Sequence, residues 1–140
     1  MDLPIGGATL VLAAGIFWLA VGSKAAMIIV LGNVALKPGK LAEAMLASQA
    51  HVDRSRLEPG CIEHRVSIDG ENPDRLIFVE RWADIAALKV HFRLAASRSF
   101  VGALAAIAIS PPSMLIYEAD ELAPPGRGAP AVPAIRRVVG

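Results

Sequence analysis

The segment Leu57–His91 constrains this chain most: a strand, a turn, a second strand and the opening of a helix. Two alternating runs flank one polar turn, Ile68-Asp69-Gly70-Glu71-Asn72-Pro73-Asp74. Gly70 and Asn72 tolerate positive φ, and Pro73 cannot continue a ladder, so the chain reverses here. Before the turn, Ile62, His64, Val66 and Ile68 share one parity, while Glu63, Arg65 and Ser67 take the other. A period of two with one wetter face predicts a β-strand. After the turn, Leu76, Phe78, Glu80 and Trp82 share a parity, but Ile77 and Val79 are apolar as well. That strand is expected to be covered on both faces. Two such runs around a short turn form an antiparallel hairpin. Asp84 then stands before Ile85-Ala86-Ala87-Leu88, the position of a helix N-cap.

The remaining elements fall around this hairpin. Met27-Ile28-Ile29-Val30-Leu31 is a branched apolar run, the mark of a central strand. Pro38-Gly39 turns the chain into a helix expected over residues 40–54. Its inner stripe is read as Leu41, Met45, Ser48 and Val52, spaced i, i+4, i+7, i+11. His51 falls on the polar side and is expected to be solvated. In the second helix Leu88, Phe92 and Ala95 share one face with His91 at its edge, and Ser97-Arg98-Ser99 is the expected bend. Pro111-Pro112 stops the helix, and Met114–Glu118 reads as the last strand. The order strand, helix, strand, strand, helix, strand is the split βαβ, ferredoxin-like α+β arrangement, with both helices on one sheet face. The two-sided apolar character of the central strands implies a cover for the other face. A second copy docked around a twofold axis is the simplest one, so a homodimer is expected.

The ends differ from the middle. Residues 3–22 carry no charge over 20 positions, about one bilayer span. Asp2 precedes them and Lys24 follows, an asymmetry that puts the lysine end on the cytoplasmic side. The competing reading takes Met27 as the start of a self-sufficient domain and residues 1–26 as an upstream extension. Both readings leave the 27–121 domain in the cytoplasm. From Leu122 to Gly140 there are four prolines, three glycines, three arginines and no acidic residue, a composition expected to be disordered. A net charge of +1, with no basic stripe and no interleaved aromatics, argues against nucleic acid. The single cysteine, Cys61, excludes an internal disulfide and suits a reducing compartment. The three histidines, at 51, 64 and 91, are scattered without zinc-type spacing, so no metal site is expected.

Several short pieces in this order carry a resemblance. Met27-Ile28-Ile29-Val30, Glu58-Pro59-Gly60-Cys61, Asn72-Pro73, Val79-Glu80-Arg81-Trp82-Ala83-Asp84, Ala87-Leu88 and His91-Phe92 together resemble the antibiotic biosynthesis monooxygenase (ABM) domain family, its quinol monooxygenase branch in particular. The resemblance covers about residues 27–120. It implies a dimeric α+β barrel that oxidises quinol or polyphenol-like aromatics with O₂, in characterised members often with no cofactor. Haem-degrading members of the same family resemble this chain at Asn33. They carry a haem-ligating histidine in the region that here reads Phe100-Val101-Gly102-Ala103-Leu104, without one.

Oxygenation without a cofactor requires a base for the substrate hydroxyl, hydrogen bonds for the resulting anion, and an apolar box that limits water. His91 is the expected base, because imidazole titrates in the useful range; its alternative is a partly exposed helical histidine. Asn33 and His64 are the expected polar orienters; a backbone-bonded amide and a satisfied buried histidine are the alternatives. Trp82 offers an aromatic wall or plain core packing, and Phe92 a substrate contact. Glu80 is a second base if buried, or half of an interface ion pair with Arg81 or Arg65 of either chain. Two further functions compete on the same fold: a non-catalytic dimeric module for a small hydrophobic ligand, and a haem-degrading monooxygenase.

Overall fold

The computed structural model of the chain describes residues 26–122 and the backbone of Arg136–Val138. The elements are β1 (Met27–Ala35), α1 (Leu41–Ser55), β2 (Cys61–Ile68), β3 (Arg75–Trp82), α2 (Ile85–Arg93), α3 (Ala95–Ile107), β4 (Ser113–Ala119) and β5 (Arg136–Val138). The sheet order is β2-β3-β1-β4-β5, and every neighbouring pair is antiparallel. The first four strands and their two helical crossovers make the ferredoxin-like α+β fold that the element order predicts.

Alternation decides which side chains go inside. Ile28, Val30 and Val34 of β1 are buried, and their register partners Trp82, Glu80 and Leu76 on β3 are buried with them. The odd positions of β1 and β3, from Ile29 and Leu31 to Ile77 and Val79, point to the face without helices, where Leu31 is 41% exposed. Beneath the helices the apolar core forms two clusters. One gathers Val34, Leu36, Ala44, Leu76, Phe78 and Leu104; the other gathers Ile28, Val30, Trp82 and Leu88. On β3 the carboxylate of Glu80 lies between them.

The structure departs from the expectations at four places. The strand β2 has an irregularity between Cys61 and Glu63. The extra residue, Ile62, is pushed out to 50% exposure while His64 stays inside. A bulge of one residue reverses the parity on its far side, so Cys61 rather than Ile62 opposes Trp82. The second helix breaks at Leu94 (ψ 133), not at Ser97–Ser99, giving α2 and α3. The tail, expected to be disordered throughout, supplies β5, whose Arg136–Val138 pair with Ile116–Glu118. A free sheet edge accepts a strand through backbone groups alone, which composition does not reveal. Finally, the polar turn closes on side chains rather than on positive φ: Asp69 Oδ1 accepts from Glu71 N at 2.9 Å, and Asn72 Oδ1 from Asp74 N at 3.0 Å. Among the described residues no helix is long and apolar enough to cross a membrane. The segment 3–22 and the rest of the tail lie outside the described residues.

Helix α2 is fixed at its N-terminal end by two local features. Asp84 caps it, accepting from Ala87 N at 2.8 Å, as its position predicts. Gly60 lies beneath it with φ +85, and a Cβ there would meet the Ala87 Cβ at 2.5 Å. A side chain at position 60 therefore incurs left-handed strain and pushes α2 off the sheet. Gly60→Ala is expected to destabilise the fold by about 2–4 kcal/mol, from the left-handed penalty plus overpacking. Chemical denaturation measures this directly, and a change below about 0.5 kcal/mol would contradict the packing described here.

Candidate functional site

The three histidines do not scatter; they converge. His51 comes from α1, His64 from β2 and His91 from α2, and they are only 4%, 1% and 2% exposed. Their ring centroids lie 5.0, 5.2 and 5.8 Å apart. One ligating nitrogen from each falls within 4.8 Å of the others. The expectation of a solvated His51 fails because α1 turns a different face inward. Its buried positions are Ala44, Ser48, His51, Val52 and Ser55, so the stripe at i, i+4, i+7, i+11 runs through small and polar residues. Leu41 and Met45 flank the core instead. His91, expected at the edge of its helix face, is at the centre of it beside Leu88.

Each imidazole has a different partner. His91 Nδ1 lies 2.9 Å from Glu58 Oε2, with Ser97 Oγ at 3.5 Å. A carboxylate accepts only, so Nδ1 carries the proton and the lone pair is on Nε2. His51 Nδ1 lies 2.7 Å from Arg54 Nη2. A guanidinium donates only, so this ring has the opposite tautomer when neutral. The His51 ring is stacked on Phe100 at 4.0 Å and 9°. Both ring nitrogens of His64 are buried without a hydrogen-bond partner. Its Nε2 approaches Glu80 Oε1 at 3.5 Å, too long for a firm hydrogen bond.

Burial sets the charges. It lowers the His51 pKa to about 3, with His64, His91 and Arg54 adding repulsion. Burial likewise lowers His64 to about 3, with His91, Arg56 and Arg54 in support. Both rings are therefore neutral at pH 7, and the 3.5 Å contact of His64 with Glu80 is not an ion pair. Burial raises Glu80 to about 7 against the hydrogen bond from Trp82, and the Glu58 charge adds to the rise. That bond runs from Trp82 Nε1 to Glu80 Oε2 at 2.8 Å. Within the chain Glu80 forms no ion pair with Arg81 or Arg65. Both arginines pair with Glu63, on the other sheet face.

A cavity of about 470 Å³ opens beside the cluster. Phe78, Phe92, Phe100 and Leu104 form its apolar wall, and His51, His64, Glu80, His91 and Ser97 its polar floor. That combination of an apolar wall with a few convergent polar groups is the usual make-up of a small-molecule site. Phe92 lines it. Trp82 does not: it is fully buried, packs with Ile28, Val30 and Leu88, and reaches the site through Glu80 and the His91 ring. Asn33 borders the cavity but is exposed, and its Nδ2 donates to Ser113 Oγ at 2.6 Å. Alternation sets it on the opposite parity of β1 from Val30, the residue paired with Glu80. Sequence reasoning missed Glu58, Phe100 and Ser97, and gave His51 to solvent. The repeat Ala44, Ser48, His51, Ser55, at one helical face, was the available signal for the last.

Fold and cavity together define a ferredoxin-like domain with a half-open, mostly apolar pocket. The chain belongs to the antibiotic biosynthesis monooxygenase family, whose model matches residues 27–103. It is 34% identical over 94 residues to an uncharacterised protein of Synechocystis, covering 67% of this chain and 64% of the relative's length. The fold is similar to that of a conserved protein from Methanosarcina mazei, with a TM-score of 0.65, 26% identity, and coverage of 69% of this chain and 96% of that one. It is also similar to a crystal structure described as an antibiotic biosynthesis monooxygenase, with a TM-score of 0.63, 22% identity, and coverage of 67% and 99%.

Stability should carry the signature of these buried groups. Unfolded, His51 and His64 titrate near 6.5; folded, near 3. Between those values the unfolded chain binds more protons, so stability rises with pH across this window. Glu80 works in the opposite direction, keeping its proton to about 7 when folded against 4.5 unfolded. Its contribution is full below 4.5 and is lost as pH rises through 7. Two histidines outweigh one carboxyl, so the melting temperature is expected to fall as pH drops from about 6.5 toward 3. The fall should be shallower in His64→Gln. A melting temperature that is level or rising on acidification would contradict the burial of these rings.

Proposed function

We propose that this protein oxygenates a quinol or polyphenol-like aromatic with O₂, without a cofactor, and acts as a homodimer. The observation that carries the reading is the His91–Glu58 pair, at 2.9 Å, in the floor of an apolar cavity. Glu58 holds the His91 ring so that Nε2 can take the proton of a bound phenolic hydroxyl, and it steadies the imidazolium that forms. The electron-rich anion passes an electron to O₂, and the two radicals recombine at a ring carbon. Loss of water from the hydroperoxide leaves one oxygen atom on the ring as a hydroxyquinone and the other in water. The quinol itself supplies the electrons. Phe78, Phe92 and Phe100 keep bulk water from the anion. Glu80, titrating near 7, is a second proton acceptor beside the ring.

His51 and His64, neutral at working pH, serve as hydrogen-bond partners rather than bases. The family membership supports a monooxygenase, and a relative described as an antibiotic biosynthesis monooxygenase shares the fold. The cytoplasm is the compartment in this reading, on the strength of a single cysteine with no second one to pair with. The apolar sheet face, with Leu31 41% exposed, supports the second copy as its cover.

Menadiol, added to air-saturated buffer with and without the protein, tests the chemistry. Oxygen uptake above the autoxidation rate is expected. His91→Ala should lose about 10²-fold or more of that excess, and Glu80→Gln a smaller part. Saturable quinol binding with no excess oxygen uptake would refute the enzyme and leave the non-catalytic ligand-binding module. Leu31→Arg puts a charge into the proposed dimer face. Sedimentation should find the unaltered chain as a dimer and this variant as a monomer; a monomeric unaltered chain would overturn the assembly.

A further inference from the structure

We propose that His51, His64 and His91 together bind one divalent first-row metal ion of the imidazole-preferring kind, such as Zn²⁺ or Co²⁺, at the floor of the cavity. Three observations carry this independently of the oxygenation chemistry. First, one nitrogen from each ring falls within 4.8 Å of the other two, although no two rings are hydrogen-bonded to each other. A tetrahedral ion with bonds of about 2.0–2.1 Å holds its nitrogens about 3.4 Å apart. Small side-chain rotations, with each ring moving by about 1 Å, close the difference.

Second, His64 is 1% exposed and neither of its ring nitrogens has a partner. A buried imidazole left unsatisfied is costly, and a metal bond satisfies the nitrogen that holds the lone pair. Third, one of the rings already has the outer support that metal-bound histidines need. Glu58 holds His91 at Nδ1 at 2.9 Å. A carboxylate on one ring nitrogen fixes the tautomer and leaves the other, Nε2 of His91, for the ion. Three imidazoles with a fourth position open to a cavity are the donor set of an open metal site rather than a closed structural one.

Arg54 opposes this state. Its guanidinium donates to His51 Nδ1 at 2.7 Å, and a ring that accepts there while bound to metal at its other nitrogen would have to be an imidazolate. Loading therefore requires Arg54 to turn away. A bound ion also takes the Nε2 lone pair of His91 that the proposed base uses. The metal-loaded and base-active states exclude one another at that ring.

Titration of the intact protein with Co²⁺, followed by visible absorption and by histidine signals in proton NMR, separates this claim from the catalytic one. One equivalent should produce the intense d–d bands of a low-coordinate cobalt site and paramagnetically shift the signals of all three imidazoles. His64→Gln should abolish the bands, Glu58→Gln should weaken binding about 10–100-fold, and Arg54→Met should tighten it, each variant being checked for folding by circular dichroism. If the variants fail to fold, the three shifted imidazole signals of the unaltered protein decide the matter. Weak octahedral bands only, fewer than three shifted imidazoles, no saturation at one equivalent, or folded His64→Gln keeping the bands would each overturn the site.

Discussion

The structure depends on an imbalance at its centre. Three imidazoles and the Glu80 carboxyl are buried in the gap between two apolar clusters, with fewer partners than polar atoms. Glu80 stands where β3 passes from Phe78 to Trp82, so the polar pocket divides the core rather than lying beside it. In such surroundings charge is expensive and proton positions are set by the few bonds available. The low pKa of His51 and His64 and the high pKa of Glu80 are two sides of one desolvation effect.

Two backbone features make the arrangement possible. Gly60, in the left-handed region, lets α2 lie close above the loop that carries Glu58, and Glu58 reaches His91 from there. The extended backbone at Leu94 ends α2, so α3 starts in a new direction. Ser97 then approaches His91 and Phe100 stacks on His51. A single unbroken helix would carry neither side chain to its ring. Local chain geometry and site chemistry are thus one problem in this fold, and the substitutions that disturb either should disturb both.

Much of the fold was legible in residue order. The parity of Leu76, Phe78, Glu80 and Trp82 named the inner face of β3 correctly, because a strand without a bulge preserves its period. Asp84 marked the start of α2 because its cap is local. The inner face of β2 was misread at Ile62, since a bulge leaves no trace in alternation. The place of His51 is not legible from apolar spacing, because the inner face of α1 (Ala44, Ser48, His51, Ser55) serves a polar pocket. Glu58 and Phe100 are brought to the site by long-range packing, 33 residues from His91 in the first case, and nothing in their immediate neighbours announces it. The edge strand β5 depends on backbone pairing, which is blind to composition.

The central claim is that the His91 ring is buried with its proton on Nδ1, bound to Glu58, and its lone pair on Nε2 facing the cavity. Nitrogen NMR of the histidine side chains in isotope-labelled protein at neutral pH reads this directly. The account predicts a protonated Nδ1 and an unprotonated Nε2 for His91, and the reverse tautomer for His51. A His91 ring with fast-averaged nitrogen shifts, as in solvent, or with its proton on Nε2 and Nδ1 bare, would contradict it.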